Sequence, residues 1–155
     1  MGPTLPFRLR MPGRRDEVSG LDLTGSSFKV TSTSFEVHGY LHVDGDVLVV
    51  EWGGTIQVQE VGAMSVRDET QPLPNERIEV PVADLYRAEL VGGWFRPRLR
   101  VQARAVGVLS SVPTEKRGMV EFWYDRSERF TAIEVARALT EAIAAAEEET
   151  VGGGD

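Results

Sequence analysis

The chain has 155 residues, of which 41% are hydrophobic and 26% are charged, and its formal net charge is −7. This length and composition are typical of one soluble globular domain and exclude collagen-like, disulfide-stapled and wholly disordered chains. Cysteine is absent, which excludes disulfides, thiolate nucleophiles and Cys-ligated metals. Because the chain shows neither a secretory signal nor an apolar run of the roughly 20 residues that span a membrane, we expect a cytoplasmic protein.

The two ends of the chain differ from its middle. The first 27 residues contain three prolines, four arginines and a polar run at residues 24–27, without a periodic apolar pattern. We therefore expect a loosely ordered arm at 1–27, a domain at 28–148 and an acidic, glycine-rich tail at 149–155. Five acids and no base lie from Glu141 onward, so the body of the chain is nearly neutral.

A β-hairpin is predicted near the start of the domain. Residues 35–43 alternate between apolar and polar side chains, which is typical of a half-buried strand. Asp44 and Gly45 suit the two positive-φ positions of a type I′ turn, so residues 47–52 are predicted to be the partner strand. The two glycines at 53–54 are predicted to form the next turn.

Further strands follow, with a period-two pattern in the segment 55–68, where Gly62 is predicted to form a bulge, and with others near residues 78–80, 86–90, 98–105 and 118–124. A loop is predicted at 71–75. After them the apolar spacing becomes helical. The pair Asp125 and Glu128, or the pair Thr131 and Glu134, fits a helix start. The predicted apolar stripe of this helix consists of Phe130, Ile133, Val135, Ala136, Leu139, Ala142, Ile143 and Ala146.

About seven antiparallel strands and one C-terminal amphipathic helix resemble the pleckstrin-homology (PH)-like superfold, including its bacterial PH and GRAM-type members. The segment IEVPVADLYRAEL at 78–90 and the helix entry at Asp125 and Arg126 carry the resemblance, which covers residues 28 to about 148. It implies a mainly β (α+β) fold, a partly open barrel capped by the helix. Inositol-phosphate-binding PH domains have a basic first hairpin loop, whereas residues 44–46 hold two aspartates that would repel phosphate. The helix tryptophan of eukaryotic members is also absent.

No catalytic constellation is visible in the sequence, which lacks the nucleophile-elbow, dinucleotide, P-loop and zinc-protease patterns. His38 and His42 would share a strand face about 13 Å apart at roughly 3.3 Å per residue, too far for one metal to bridge. Asp44 and Asp46 could hold a weak cation, but aspartates at such positions are usually turn formers. We expect no enzyme, no cofactor and no metal.

One predicted strand face gathers Arg96, Arg98, Arg100 and Arg104. The stripe could bind an anion or nucleic acid, or it could form a cross-strand ladder, each pair contributing roughly 0.2–1 kcal/mol. The ladder partners on the neighbouring strands would be Arg87, Glu89, Glu121, Trp123 and Asp125. We favour the ladder, and the net charge argues against nucleic acid.

Aromatic side chains supply the candidate binding residues. Trp94 and Phe95 lie at a predicted hairpin tip, where they either fold back over the barrel end or form a contact surface. The leading hypothesis is a protein-interaction or self-assembly module, with a protein partner or a second copy as ligand. Its candidate interaction face is Trp94, Phe95, Arg98, Arg100 and Trp123. The alternative is a module for an acidic lipid or small anionic ligand, although contact with a membrane is disfavoured.

Overall fold

The computed structural model describes residues 2–10, 14–18, 29–62, 66–113 and 116–152. Within them, antiparallel strands are followed by one long helix, so the predicted class, mainly β with one C-terminal helix, is confirmed. The strands are β1 (Leu5–Leu9), β2 (Arg14–Val18), β3 (Lys29–Asp44), β4 (Val47–Gly62), β5 (Val66–Pro81), β6 (Leu85–Val91), β7 (Arg98–Ala103) and β8 (Met119–Trp123). The helix α1 spans Arg129–Gly152, and short 3₁₀ turns occupy Val82–Asp84 and Arg126–Glu128.

Seven strands form one antiparallel sheet in the order β5-β4-β3-β1-β8-β7-β6, and β2 pairs with β3 outside this path. The sheet is not closed, because β5 and β6 stand at opposite ends of the order. The helix α1 packs mainly on β6 and on the 3₁₀ turn Val82–Asp84. It therefore covers one edge region of the sheet, close to the turns that carry the candidate binding residues.

The hairpin of β3 and β4 is present, but its turn differs from the predicted one. The two strands pair in register along their whole length, up to Asp44 opposite Val47. The connecting residues are Gly45 and Asp46, and Gly45 has a φ of 62°, whereas no non-glycine residue described in the structure has a positive φ. A type I′ turn requires two positive φ values, so that prediction is wrong; glycine at the first central position is typical of a type II′ turn.

Two predicted connections are parts of long strands. The predicted turn at 53–54 lies inside β4, where the register with β5 shifts between Trp52 and Gly54. The glycines therefore mark a β-bulge. The bulge predicted at Gly62 is wrong, because β4 ends at this residue. The predicted loop at 71–75 belongs to β5, which is an edge strand of the sheet. Prolines are tolerated in an edge strand because only one of its sides pairs with a neighbour.

The hydrophobic core joins the sheet to α1. Its largest fully buried side chains are Phe122, Leu5, Leu41, Leu48, Leu85, Leu99, Leu109 and Leu139. Phe7 and Phe122 meet edge to face with ring centroids 4.7 Å apart, a geometry that adds about 0.5–1.5 kcal/mol to the gain from burial. Leu109 and Val112 reach this core from the irregular segment between β7 and β8.

The prediction of a loosely ordered arm at 1–27 is wrong for the residues of β1. This strand pairs with β3 on one side and with β8 on the other, and Leu5, Phe7 and Leu9 are buried. The folded unit thus includes residues before 28, because β1 bridges the two halves of the sheet. β2 also pairs with β3. Residues 1, 11–13 and 19–27 of the predicted arm lie outside the described residues.

The helix begins between the two predicted starts. Asp125 makes no side-chain capping hydrogen bond, and its carboxylate instead accepts one from Arg8 at 2.9 Å. Thr131 lies inside α1 and therefore is not its N-cap. Both predicted capping pairs are wrong, because the 3₁₀ turn Arg126–Glu128 precedes the α-helical part.

The buried face of α1 consists of Ala132, Val135, Leu139 and Ile143. Phe130, predicted to belong to the apolar stripe, is instead 81% exposed. The tail predicted from residue 149 is helical up to 152, and its last three residues lie outside the described ones. Across the described ranges, no helix has both the length and the apolar character needed to cross a membrane.

Candidate interaction face

The arginine stripe of β7 forms a ladder of ion pairs. Arg98 donates a hydrogen bond from Nε to Glu121 on β8. Arg100 lies between Glu121, at 3.5 Å, and Glu89 on β6, at 3.6 Å. Lys116 also reaches Glu121, at 2.9 Å. The structure thus shows the predicted cross-strand ladder, in which Glu121 is the common acceptor.

Glu121 is well shielded, since its side chain is 15% exposed. Burial raises the pKa of this carboxyl, but hydrogen bonds from Lys116 and Arg98 and the charges of both outweigh burial. The net effect holds the pKa of Glu121 below its ordinary value. The carboxylate is therefore ionised at neutral pH and holds its basic neighbours in place.

Trp123 follows Glu121 on the same face of β8 and is covered by two cations, one directly after β1 and one on β7. The guanidinium of Arg10 lies 4.1 Å from the ring centroid, and that of Arg98 lies 5.1 Å from it. Both distances fall within the roughly 6 Å range of cation–π attraction. Three of the predicted interaction residues, Arg98, Arg100 and Trp123, are thus engaged with the domain's own side chains.

Arg104 extends the ladder to the helix. Its Nη2 donates to Glu147 of α1 at 2.8 Å, and its Nε donates to the carbonyl oxygen of Ala83 at 3.0 Å. Arg104 therefore ties the end of the sheet to the carboxyl-terminal part of α1. Arg98, Arg100 and Arg104 are thus bound within the domain, whereas Arg96 lies in the turn before β7 and is exposed.

The two remaining predicted residues, Trp94 and Phe95, project from the turn between β6 and β7. Gly92 and Gly93 have φ values of 84° and 57°, which favour glycine. The Arg96 amide donates to the Gly92 carbonyl at 3.1 Å, closing the turn. Trp94 is 54% and Phe95 83% exposed. Neither ring folds fully back over the sheet, so both offer apolar surface to solvent.

Two arginines outside the predicted interaction face accompany these rings. The guanidinium of Arg126 lies 5.4 Å from the Trp94 ring centroid and 5.8 Å from that of Phe95. The guanidinium of Arg129 lies 5.8 Å from the Trp94 centroid. We call Trp94, Phe95, Arg126 and Arg129 the aromatic tip. Phe130 adds another exposed ring to this end of α1.

A cavity of about 210 Å³ lies beside the aromatic tip. Its lining includes Trp94, Arg126, Arg129, Tyr124 and Ile133. Burial raises the pKa of the Tyr124 hydroxyl, and the charge of Arg129 only partly opposes this effect. The phenol is therefore neutral at physiological pH and able to donate a hydrogen bond. The cavity combines cationic, aromatic and hydroxyl groups, which suits a carboxylate or another small anion.

The histidines occupy a different surface. His38 is exposed on β3, and His42 on the same strand is half-buried. Across the described part of the chain, no group of three or more His, Asp and Glu side chains is placed to hold a metal. A shallow cavity of about 660 Å³ lies near His38 at the β4 bulge, where Arg77 and Glu51 pair at 3.4 Å.

The chain was compared with models of protein families, with curated proteins and with solved structures, and none of them matched. The geometry of the described residues is therefore the basis for a functional proposal.

Proposed function

We propose that the chain is a non-catalytic PH-like domain that acts as a protein-interaction module and binds an acidic protein segment at its aromatic tip. The observation that carries the proposal is the cluster of exposed Trp94 and Phe95 with Arg126 and Arg129. Tryptophan, phenylalanine and arginine are enriched in protein interfaces, and large aromatic anchors carry much of the binding free energy.

The charge of the aromatic tip favours an acidic partner. Within the described residues, neither Arg126 nor Arg129 makes an ion pair, in contrast to Arg98 and Arg104. Nearby Asp125 pairs with Arg8. The aromatic rings hold the two guanidinium groups without neutralising them, so that the groups can pair with carboxylates of a partner.

A direct test is calorimetric titration of the full chain with the peptide acetyl-AEEEAEEEA-amide and with its lysine counterpart. We expect the glutamate peptide to bind and the lysine peptide not to bind. Arg126→Glu combined with Arg129→Glu should weaken binding by at least about tenfold, because repulsion replaces attraction. The matched control Arg67→Glu lies on an exposed part of β5. Equal binding of both peptides, or an equal effect of the control, would overturn the proposal.

The cavity beside Trp94 favours a second candidate, the recognition of an acidic lipid or a small anion. Its volume of about 210 Å³ and its two arginines would accommodate one phosphate or carboxylate group. Flotation with vesicles of phosphatidylcholine alone, and with added phosphatidylserine, separates the two candidates. Salt-sensitive flotation only with the anionic vesicles, lost in the arginine double variant, would favour the lipid over the protein segment.

A further inference from the structure

The helix α1 gives the domain two poles of opposite charge. Its first turn contains Arg129 and no acid, and Arg126 lies in the preceding 3₁₀ turn together with Glu128. Its last turn contains no base, and Glu147, Glu148 and Glu149 lie next to one another near this end. The amino-terminal pole is thus the arginine-bearing aromatic tip, and the carboxyl-terminal pole is acidic.

The charged residues at each end of α1 have the same sign as the partial charge of the helix dipole at that end. A helix carries partial positive charge at its amino end and partial negative charge at its carboxyl end, so that acids are favoured at the first and bases at the second. In α1, Arg129 and the run of glutamates stand at the ends where their charge is disfavoured. Each placement lowers the stability of the helix. Local helix stability therefore does not explain this arrangement of charges.

The two poles cannot meet within one molecule. The helix has 24 residues, which at about 1.5 Å per residue separates its ends by about 36 Å. Glu147 is partly neutralised by Arg104, but Glu148 and Glu149 are exposed. Each copy of the chain thus carries an exposed acidic segment that cannot reach its own aromatic tip but can reach that of another copy.

We propose that copies of this chain associate head to tail, with Glu148 and Glu149 of one copy docking on the aromatic tip of the next. This inference rests on the proposed function, since it names the acidic segment that the aromatic tip binds. A single contact of this kind joins two unlike surfaces, so in an open assembly one pole is left unoccupied at each end. Growth then continues beyond a dimer, whereas an antiparallel pair would close with both poles occupied. The contact between the carboxyl end of α1 and the aromatic tip buries less surface than the roughly 800 Å² per partner of standard interfaces. Each contact is therefore weak.

Sedimentation velocity of the full chain at increasing concentration tests this inference. We expect a progressive rise in the weight-average sedimentation coefficient beyond the dimer value, reduced by added salt. Arg126→Glu with Arg129→Glu, or Glu148→Arg with Glu149→Arg, should each weaken association by at least about tenfold. The matched controls Arg67→Glu and Glu69→Arg reverse charges on an exposed part of β5 and should leave association unchanged.

Mixing the two double variants gives the sharpest result. Alone, each carries two poles of like charge, but in the mixture the basic pole of one variant faces the acidic pole of the other. We therefore expect the mixture to recover at least half of the association of the unaltered chain. A monomer at all concentrations, a closed dimer or no recovery on mixing would overturn head-to-tail assembly. If the glutamate peptide still bound to the aromatic tip in that case, the proposed function would stand without it.

Discussion

Arg98 and Glu121 form an ion pair across β7 and β8, with side chains that are 19% and 15% exposed. Most exposed ion pairs contribute at most about 1 kcal/mol, because water screens them and long side chains lose freedom. This pair is more shielded, and Glu121 also accepts a hydrogen bond from Lys116 at 2.9 Å. The carboxylate therefore links β7 to β8 on the outer face of the sheet.

Replacement of Glu121 by glutamine is expected to destabilise the domain. Glutamine keeps the shape of the side chain but removes the charge that Arg98 and Lys116 share. We expect a loss of about 1.5–3 kcal/mol in the free energy of unfolding, as for hydrogen bonds to charged groups. Urea denaturation measures the loss. Glu79→Gln, which affects an exposed pair with Arg77, is the control and should cost less than about 1 kcal/mol.

The lowered pKa of Glu121 also makes stability depend on pH. Above its ordinary value of 4.5 the carboxylate is ionised in both states, and the stabilisation is fully present. As the pH falls below that value, the unfolded chain binds the proton first, so stability is lost until the pH passes the lower pKa of the folded state. We expect the urea midpoint of the unaltered chain to fall more steeply than that of Glu121→Gln. Parallel curves for the two proteins would contradict the stabilising role of the charge.

Gly39 is required by the close approach of β3 and β4. It lies opposite Trp52, and a Cβ at Gly39 would stand only 1.9 Å from the carbonyl oxygen of Glu51. Because this atom belongs to a paired backbone, Gly39→Ala should destabilise by about 1–3 kcal/mol or more. Gly107→Ala is the control, since a Cβ there meets nothing within 4 Å. Thermal unfolding of both variants tests the difference; equal effects would show that β3 and β4 separate easily.

The place of β1 in the core predicts a large effect at Leu5. Its side chain is fully buried, so Leu5→Ala should reduce the free energy of unfolding by about 2–5 kcal/mol. The control Tyr86→Ala changes a side chain that is 58% exposed and should stay within about 0.5 kcal/mol. Urea denaturation measures both variants. A neutral Leu5→Ala would mean that β1 does not hold its place between β3 and β8 in solution.

The sequence predicted those parts of the fold in which one strand face is buried and the other solvated. Leu99 and Val101 alternate with Arg98 and Arg100 on β7, and this alternation is what the structure shows. β1 has only five residues, including a proline, so it is too short for a clear period. Its position between β3 and β8 depends on pairing with distant residues. The prolines of β5 indicated a loop, because sequence alone does not show that this strand lies at an edge.

The candidate site was predictable to the extent that its residues lie on strands and turns whose order the sequence pattern predicted. The ladder partners Glu89 and Glu121 followed from the order of hairpins, because adjacent strands place opposite charges side by side. Trp94 and Phe95 were found because they lie in the turn of a hairpin that the sequence pattern predicted. Arg126 and Arg129 were missed, since they lie about thirty residues further along the chain. Only the packing of α1 on β6 brings them to the aromatic turn.

Phe95 separates binding from stability more clearly than any other residue of the aromatic tip. It is 83% exposed, so Phe95→Ala should change the free energy of unfolding by less than about 0.5 kcal/mol. If Phe95 anchors the acidic segment, the same variant should weaken binding of the glutamate peptide by about fivefold or more. Calorimetric titration and urea denaturation of one preparation give both values, with Tyr86→Ala as the exposed aromatic control. Unchanged affinity together with reduced stability would show that the ring packs against its own domain and does not serve a partner.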